Sequence, residues 1–131
     1  MGPIELYIDG NNFSNLDGFY DEVEKQLTSG LDWKIGRNLD AFNDVLRGGF
    51  GKFEYEEPIK LIWKNSEKSK KELGYEQMIS RLQELLKTCH PSNISIIEKE
   101  IQDIKTNHKP SLFDTILDII RSHSHIELIL R

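Results

Sequence analysis

Apolar residues recur along the chain at two different spacings, which predict a short strand followed by amphipathic helices. Apolar and polar residues alternate over residues 4–8, which is typical of a strand. A turn signal follows at residues 9–12, and Ser14 or Asn15 is then suited to cap a helix. Gly30 is a suitable stop for this helix, whose apolar face consists of Leu16, Phe19, Tyr20, Val23 and Leu27.

A second helix is predicted over residues 38–47, with an apolar inner side and a polar outer stripe. The inner side consists of Leu39, Phe42 and Leu46. The outer stripe recurs at positions i, i+3, i+4 and i+7 and consists of Asp40, Asn43, Asp44 and Arg47. Two carboxylates four residues apart on a helix repel each other by roughly a few tenths of a kcal/mol, so a helix selected only for stability would more often alternate their signs. The glycines after residue 47 are expected to open a flexible loop that reaches residue 57.

The remaining pattern adds two strands and two helices to this framework. Pro58 opens a strand over residues 59–63, and Ser66 is expected to cap a short helix after it. Ser111 is expected to cap the final helix, and the last strand covers residues 126–130. Because nearly continuous apolar strands alternate with helices, the sequence predicts an α/β fold, a small three-stranded parallel sheet covered by helices. The last strand is expected to be central in this sheet or well covered.

The block at residues 75–110 carries two helical stripes of its own. A Cys-His-Pro interruption at residues 89–91 separates them, and Ser95 with Glu98 forms a capping-box pattern before the second stripe. The first stripe consists of Met78, Ile79, Leu82, Leu85 and Leu86, and the second of Ile97, Ile101 and Ile104. We interpret the block as a helical hairpin inserted within a single domain that spans residues 1–131.

Length and composition bound the class of protein without indicating its function. A chain of 131 residues with 37% hydrophobic and 30% charged residues has the size and polarity of one globular domain. A single cysteine, Cys89, cannot form an internal disulfide, and no run of about 18 apolar residues predicts a membrane-spanning helix. The N-terminal residues lack the basic start and apolar stretch of a signal peptide, so we expect a cytoplasmic protein with no membrane partner.

Charge is distributed unevenly along the chain, and its distribution is more informative than its total. The formal net charge is −5, which argues against nucleic acid as a direct partner. Residues 1–57 hold 12 acidic and 5 basic side chains, a net of −7, whereas residues 58–131 hold 10 and 12, a net of +2. An acidic first half suits a basic partner or a cation, or is a solvated surface with no partner at all.

The histidine and cysteine positions give no metal-binding or nucleophile motif. Zinc sites use paired ligands at short spacing, and no such pairs occur among Cys89, His90, His108, His123 and His125. The Cys-His pair at residues 89–90 is adjacent in sequence, which is not the spatial arrangement that a thiol nucleophile needs. The last two histidines are expected to be turn residues or partners of a helix dipole. We therefore expect no cofactor and no metal.

One enzymatic alternative starts from Asp9, which follows the first predicted strand. The segment over residues 7–12 is similar to the opening of PIN-like and NYN metal-dependent ribonucleases, in which an aspartate at a strand's C-terminal end helps to hold a divalent cation. The carboxylates that it could recruit are those of Asp40, Asp44 and Asp118. That fold needs further strand-end carboxylates and more strands than this chain offers, so a plain turn before a helix is the preferred interpretation of Asp9.

The acidic helix and the strand after it resemble a known family. The first motif consists of Gly36, the run Asn38-Leu39-Asp40-Ala41, Asp44, Leu46 and Gly48, and the second of the run from Pro58 to Trp63 followed by Glu67, Ser69 and Lys70. In both motifs the sequence resembles the barstar family, whose members are intracellular inhibitors of a secreted bacterial ribonuclease. The resemblance covers residues 4–74 and 111–131, and the block at 75–110 has no counterpart in the family's small type member.

This resemblance implies a function that agrees with the charge distribution. In the family, the acidic helix and the loop before it fill the active site of a basic ribonuclease, where carboxylates take the positions of RNA phosphates. The resemblance thus implies a non-enzymatic inhibitor or antitoxin-like antidote, monomeric in a one-to-one complex with a basic ribonuclease or ribonuclease toxin. It makes Asp44 the central carboxylate, Asp40 its neighbour and Asp118 a further acidic contact. The other implied contacts are Trp33, Ile35, Gly36, Asn38, Asn43, Arg47 and Gly48.

The chain departs from the family pattern at several of these positions. The family's two tyrosines before the glycine are Lys34 and Ile35 here, with Trp33 as the nearby aromatic residue. The family's tryptophan before the central aspartate is Asn43, and the loop over residues 49–57 is longer. These changes bear on which ribonuclease is bound and leave the acidic helix itself intact.

Overall fold

The computed structural model describes residues 3–31, 34–107 and 111–131, and in these it contains three strands and six α-helices. The strands are β1 (Ile4–Asp9), β2 (Ile59–Lys64) and β3 (Ile126–Leu130). The helices are α1 (Leu16–Leu27), α2 (Leu39–Arg47), α3 (Ser66–Glu72), α4 (Tyr75–Thr88), α5 (Ile94–Asn107) and α6 (Leu112–Arg121). Short 3-10 turns lie at Gly10–Asn12 and Pro91–Asn93. Within the described ranges, no helix is both long enough and apolar enough to cross a membrane.

The sheet is parallel throughout, and β2 lies at its centre. Strand β1 pairs with β2 so that Ile4 lies opposite Ile59, and β2 pairs with β3 so that Ile59 lies opposite Ile126. Parallel neighbours need crossover connections, which α1 and α2 provide between β1 and β2, and α3 to α6 provide between β2 and β3. The predicted α/β fold, a three-stranded parallel sheet covered by helices, is confirmed.

The position of the last strand was predicted wrongly, because β3 lies at an edge of the sheet. Its burial falls from Ile126, which is buried, to Leu130, which is exposed. The centre belongs to β2, where Leu61 and Trp63 are both inaccessible to solvent. An apolar run indicates that both faces of a strand are covered. It does not indicate which strands lie beside that strand in the sheet.

An aromatic cluster on the central strand holds the layers together. The ring of Trp63 stacks on Phe19 of α1, with centroids 5.6 Å apart and an interplanar angle of 15°. Phe113 of α6 and Phe13 meet Trp63 edge to face, and Phe42 of α2 meets Phe19 in the same way at 5.2 Å. Offset-stacked and edge-to-face pairs are the favourable aromatic geometries. A single strand residue therefore ties the sheet to α1 and α6 directly, and to α2 through Phe19.

Two of the predicted helix caps are present. The side-chain oxygen of Asn15 accepts a hydrogen bond from the amide of Gly18 at 2.8 Å, and α1 begins at the next residue. The hydroxyl of Ser111 accepts from the amide of Asp114 at 3.1 Å and caps α6. Each cap satisfies one of the amides that have no partner within the helix, so the sequence located these two helix starts correctly.

Two other predicted caps are wrong. Ser66 is the first residue of α3 rather than its cap, and its hydroxyl donates to the carbonyl of Arg131 at 2.8 Å across the sheet edge. The capping position belongs to Asn65, whose φ of 56° lies in the left-handed region. Residues 95–98 lie inside α5, which already begins at Ile94 after a 3-10 turn. In both cases the nearby backbone, which short-range patterns do not specify, decided where the helix begins.

Helices α4 and α5 pack against each other as the predicted hairpin. Ile101 and Ile104 face inward and are buried, whereas Leu85 and Ile96 are exposed. The main core that the described residues form takes its buried side chains from outside the hairpin. The main core of the described residues therefore takes no buried side chain from α4 or α5.

Ser69→Ala is expected to destabilise the protein through the aromatic cluster. The indole Nε1 of Trp63 donates to the Ser69 hydroxyl at 3.0 Å, and both side chains are fully buried. Removing the hydroxyl leaves a buried donor without its acceptor, which costs about 1–3 kcal/mol in the free energy of unfolding. Urea denaturation measures the loss. Ser80→Ala on the exposed side of α4 is the control and should change little, and equal effects of the two variants would contradict this role for the hydrogen bond.

Candidate partner-binding site

Helix α2 is defined at both ends by residues of its own sequence. The side-chain oxygen of Asn38 accepts from the amide of Ala41 at 2.7 Å and caps the N-terminus. Asp40 lies in the first turn and Arg47 in the last, which are the charges that the helix dipole favours at those ends. Gly48, with a φ of 98°, ends the helix. The sequence therefore fixes the extent of this nine-residue helix.

The orientation of α2 is set by its buried face. Phe42, Val45 and Leu46 are each 1% exposed or less, and the helix contacts both α1 and α6. A helix of this length is marginal in water by itself, so its stability comes from burying that apolar face. Because the three apolar positions must face the core, the positions between them face solvent.

Both candidate aspartates face outward. The side chain of Asp44 is 63% exposed, and one of its oxygens lies 3.9 Å from the nearest nitrogen of Arg47. That distance is longer than a hydrogen bond, and both partners are solvated, so the pair contributes little energy. Asp40 is exposed as well, and no residue in the part of the chain that the structure describes pairs with its carboxylate. Two carboxylates on one helix face are therefore accessible to a partner.

Asn43, the third member of the predicted stripe, is held by this protein's own side chains. It is half-buried, and its Oδ1 lies 2.7 Å from Nε2 of His123. The neighbouring His125 contacts α2 one turn further on, with its Nε2 2.8 Å from the carbonyl oxygen of Leu46. The sequence predicts both histidines as turn residues or partners of a helix dipole. It does not predict these contacts, because they join residues about 80 positions apart that no local pattern relates.

Arg37 ties the loop before α2 to α1. The Arg37 guanidinium donates to the carboxylate of Asp21 and to the backbone carbonyl of Asp17, the latter at 3.1 Å. Gly36 is exposed beside the helix cap, as expected of a contact residue. Ile35 is different, since its side chain is 4% exposed and belongs to the main core. Its predicted role as a contact is corrected to one of anchoring the loop.

Two further predicted contacts are Trp33 and Gly48. Trp33 lies outside the described residues. Gly48 is buried, and a side chain there would place a Cβ 2.2 Å from the carbonyl oxygen of Glu54. Its role is therefore to end α2 and to let the loop return close to the helix, and it offers no contact surface.

The loop after α2 is more ordered than the sequence predicts. The amide of Gly49 donates to the carbonyl of Phe53 at 2.9 Å, and the amide of Glu56 donates to the carbonyl of Arg47 at 2.7 Å. Phe53 is buried in the main core. Glycines give a chain conformational freedom, but backbone hydrogen bonds and one buried aromatic ring remove it here. The loop thus closes the C-terminal end of α2.

Asp118 lies on a neighbouring helix rather than on α2 itself. It is exposed on α6, which packs against α2. The structure therefore places a third exposed carboxylate on a helix that packs against α2. Its register, which was taken from the sequence pattern, agrees with an outward position because Ile116, Leu117 and Ile120 take the inward ones.

Asp9, the residue of the enzymatic alternative, is engaged in a turn. Its Oδ1 accepts from the amide of Asn11 at 2.9 Å and from the side-chain amide of Asn65 at 2.8 Å. These hydrogen bonds to the charged form, first that from Asn11, lower the pKa of Asp9 below its usual value. No group of three or more ligating side chains occurs in the described ranges. The geometry is that of the plain turn before a helix.

Gly48→Ala and Gly49→Ala form a matched pair that tests how the end of α2 is held. Both glycines have φ near 90–98°, so a side chain at either position adds strain of about 1–2 kcal/mol. Only at Gly48 does the new Cβ also collide with backbone, whereas Gly49 has open space around it. We expect Gly48→Ala to lower the free energy of unfolding by clearly more than Gly49→Ala in chemical denaturation. Equal losses would show that the loop does not approach the helix as closely as described.

Comparison with known proteins places these features in one family. No curated protein matches the chain. A family model described as Barstar (barnase inhibitor) matches residues 4–96, which is more than two thirds of the sequence. The match includes all of α2 and continues through α4, so it draws no boundary at residue 75 and the extent of the inserted hairpin stays a prediction. The chain therefore belongs to the barstar family, a family of barnase-type ribonuclease inhibitors.

Proposed function

We propose that this protein binds a basic ribonuclease and blocks its active site with the outer face of α2. Asp44 is the central carboxylate of this contact, and Asp40 lies one turn before it. The observation that carries the proposal is that both carboxylates are exposed on one helix whose opposite face is buried, in a chain of a ribonuclease-inhibitor family. No cofactor takes part.

The physical basis of the proposal is that a carboxylate imitates a phosphate. A carboxylate and a phosphate each present two oxygens that can accept paired hydrogen bonds from one arginine. Ribonuclease active sites present such cationic groups to RNA. A rigid helix holds the two carboxylates in place before binding, so little conformational entropy is lost on association. Because neither carboxylate has a close partner within the described residues, few internal contacts must break.

The charge of the surrounding surface supports a basic partner. Residues 1–57 carry a net charge of −7, and this half includes α2 and the loops on either side of it. A field of one sign raises the rate at which an oppositely charged protein arrives and orients. Asp118 on α6 adds to the same field from the adjacent helix. Nucleic acid, which is polyanionic, would be repelled from this face.

Basic residues at the margin of the acidic face restrict which ribonuclease fits. Arg47 lies at the end of the stripe, and Lys34 and Arg37 lie in the loop before α2, where Arg37 is already paired with Asp21. A partner must therefore present cationic groups opposite Asp40 and Asp44 and uncharged or acidic groups at the rim. This pattern of mixed charge is a basis for specificity.

The cellular role that follows is protection of the producing cell. As an inhibitor the protein acts stoichiometrically, as a monomer in a one-to-one complex in the cytoplasm, and keeps a ribonuclease or ribonuclease toxin from cleaving the cell's own RNA. It thus resembles an antitoxin in its logic, and it requires no enzymatic activity.

Asp44→Ala is expected to weaken the complex by several kcal/mol, and Asp40→Ala by less. Charged hot-spot residues in ribonuclease–inhibitor complexes of this family cost several kcal/mol of binding free energy when they are truncated to alanine. Immobilised wild-type protein should capture, from the cell that makes it, a fraction that cleaves RNA after release and is inhibited again when the protein is added back. Calorimetric titration of the purified ribonuclease then gives the affinities of the variants.

The control for this experiment is Glu98→Ala, which removes one exposed carboxylate from α5. It changes the net charge by the same amount as Asp44→Ala but leaves α2 untouched, so its affinity should stay close to wild type. The proposal is wrong if no ribonuclease is captured, or if Asp44→Ala binds as tightly as Glu98→Ala.

A strong dependence of the association rate on salt is also expected. Between about 0.01 M and 1 M salt the screening length falls from about 30 Å to about 3 Å, which removes long-range attraction. We expect the rate constant for association to fall by about tenfold or more over this range, as stopped-flow fluorescence would measure. The double variant Asp40→Ala, Asp44→Ala should show a shallower slope. A rate that is constant across the range would count against steering by the acidic face.

A further inference from the structure

Two histidines in the turn before β3 contact the C-terminal half of α2. Nε2 of His123 lies 2.7 Å from Oδ1 of Asn43, and Nε2 of His125 lies 2.8 Å from the carbonyl oxygen of Leu46. The two imidazoles also contact each other edge to face, with centroids 5.5 Å apart. We call these four groups the histidine clasp.

The hydrogen-bond partners fix where each imidazole carries its proton. A backbone carbonyl oxygen can only accept, so Nε2 of His125 is the donor to Leu46. The Oδ1 of Asn43 is likewise an acceptor, so Nε2 of His123 donates to it. In the neutral form each ring is therefore protonated on Nε2, and a second proton must go to Nδ1. Both hydrogen bonds persist when a ring becomes charged, and the change is one added positive charge on an imidazole that contacts α2.

The histidine clasp contacts α2 next to Asp44, the central carboxylate of the proposed binding contact. Asn43 is the residue immediately before Asp44, and Leu46 lies in the last turn of the helix. Side-chain packing of Phe42 and its neighbours sets which face of α2 is buried, but a short helix can still roll or fray at its end. Two hydrogen bonds from a separate element restrain the half of the helix that carries Asp44.

Charged groups from three elements surround His123. They are Arg47 on α2, Glu56 in the loop after α2, and His125 in the same turn. Burial lowers the pKa of His123 most, followed by His125 and Arg47, while Glu56 opposes the shift. A positive charge on His123 is therefore unfavourable in this cluster.

We propose that His123 and His125 are positioning residues for the acidic face, which hold the C-terminal half of α2 in its binding orientation, and that a proton taken up by His123 weakens partner binding. The inference rests on the proposed function, because its consequence for binding needs a basic partner. An imidazolium at His123, in contact with the residue before Asp44, reduces the negative potential that attracts such a partner. By linkage, the bound partner in turn makes proton uptake by the clasp less favourable.

The folded protein alone provides the first test. We expect His123→Ala to raise amide hydrogen exchange about tenfold at residues 45–47 and to leave the amides of α1 unchanged, because only the restraint on α2 is lost. His123→Gln keeps an N–H donor at nearly the same place and should restore protection. A merely space-filling role predicts no such rescue. Unchanged exchange in α2 for both His123→Ala and His125→Ala would overturn the clasp as a restraint.

The second test is the pH dependence of binding to the ribonuclease captured with the wild-type protein. Between about pH 7.5 and 5, wild type should lose several-fold more affinity than the double variant His123→Gln, His125→Gln, and a change of one pKa unit at His123 on binding would set the upper limit at about tenfold. Because the pKa of His123 is lowered, this loss should fall at the acidic end of the range. Titration of groups on the ribonuclease is common to both proteins and cancels. His90→Gln, which removes an exposed imidazole from the far turn of the hairpin, is the control and should follow wild type.

The outcomes separate this inference from the proposed function. Loss of binding in Asp44→Ala together with identical pH profiles for wild type and the double glutamine variant would leave the inhibitor function standing and overturn the clasp as a pH-sensitive element. Capture of no ribonuclease by wild type would overturn the proposed function and with it the pH-dependent part of the inference. Hydrogen exchange would then decide the remaining part, the restraint on α2.

Discussion

Burial of one apolar helix face is the interaction on which the candidate site depends. Helix α2 is only nine residues long and is not stable alone, so Phe42, Val45 and Leu46 must find the core that α1, α6 and the central strand provide. That requirement turns Asp40 and Asp44 toward solvent. The repulsion between two like charges one turn apart is small compared with the free energy gained by burying three apolar side chains. The fold therefore remains stable with two aspartates on the exposed face of α2.

Polar contacts around α2 then refine what burial begins. Asn38 caps one end of the helix, the hydrogen-bonded glycine loop closes the other, and Arg37 ties the preceding loop to α1. The histidine clasp adds a restraint from the turn before β3. These contacts come from four separate parts of the chain, yet each leaves the two aspartates accessible. Asp9 takes no part in this arrangement, and its Oδ1 accepts hydrogen bonds from the amide of Asn11 and the side chain of Asn65.

The sequence located the helices and strands well where a local signal exists. Asn15 and Ser111 cap their helices as the pattern indicated, and the paired aspartates lie on the exposed face that their spacing predicted. It failed where the decision belongs to a distant neighbour. Ser66 bonds the backbone of Arg131 instead of capping α3, and Ile35 fills the core instead of facing a partner.

By itself the sequence determined the α/β class, the extent of α2 and the side of that helix that carries charge, because periodicity, caps and glycines act within a few residues. Only the tertiary structure decided that β2 is central and β3 an edge, that the glycine loop is held, and that His123 engages Asn43 across 80 positions. Strand order and long-range side-chain contacts are set by how the helices cover the sheet. No spacing along the chain encodes which surfaces will meet.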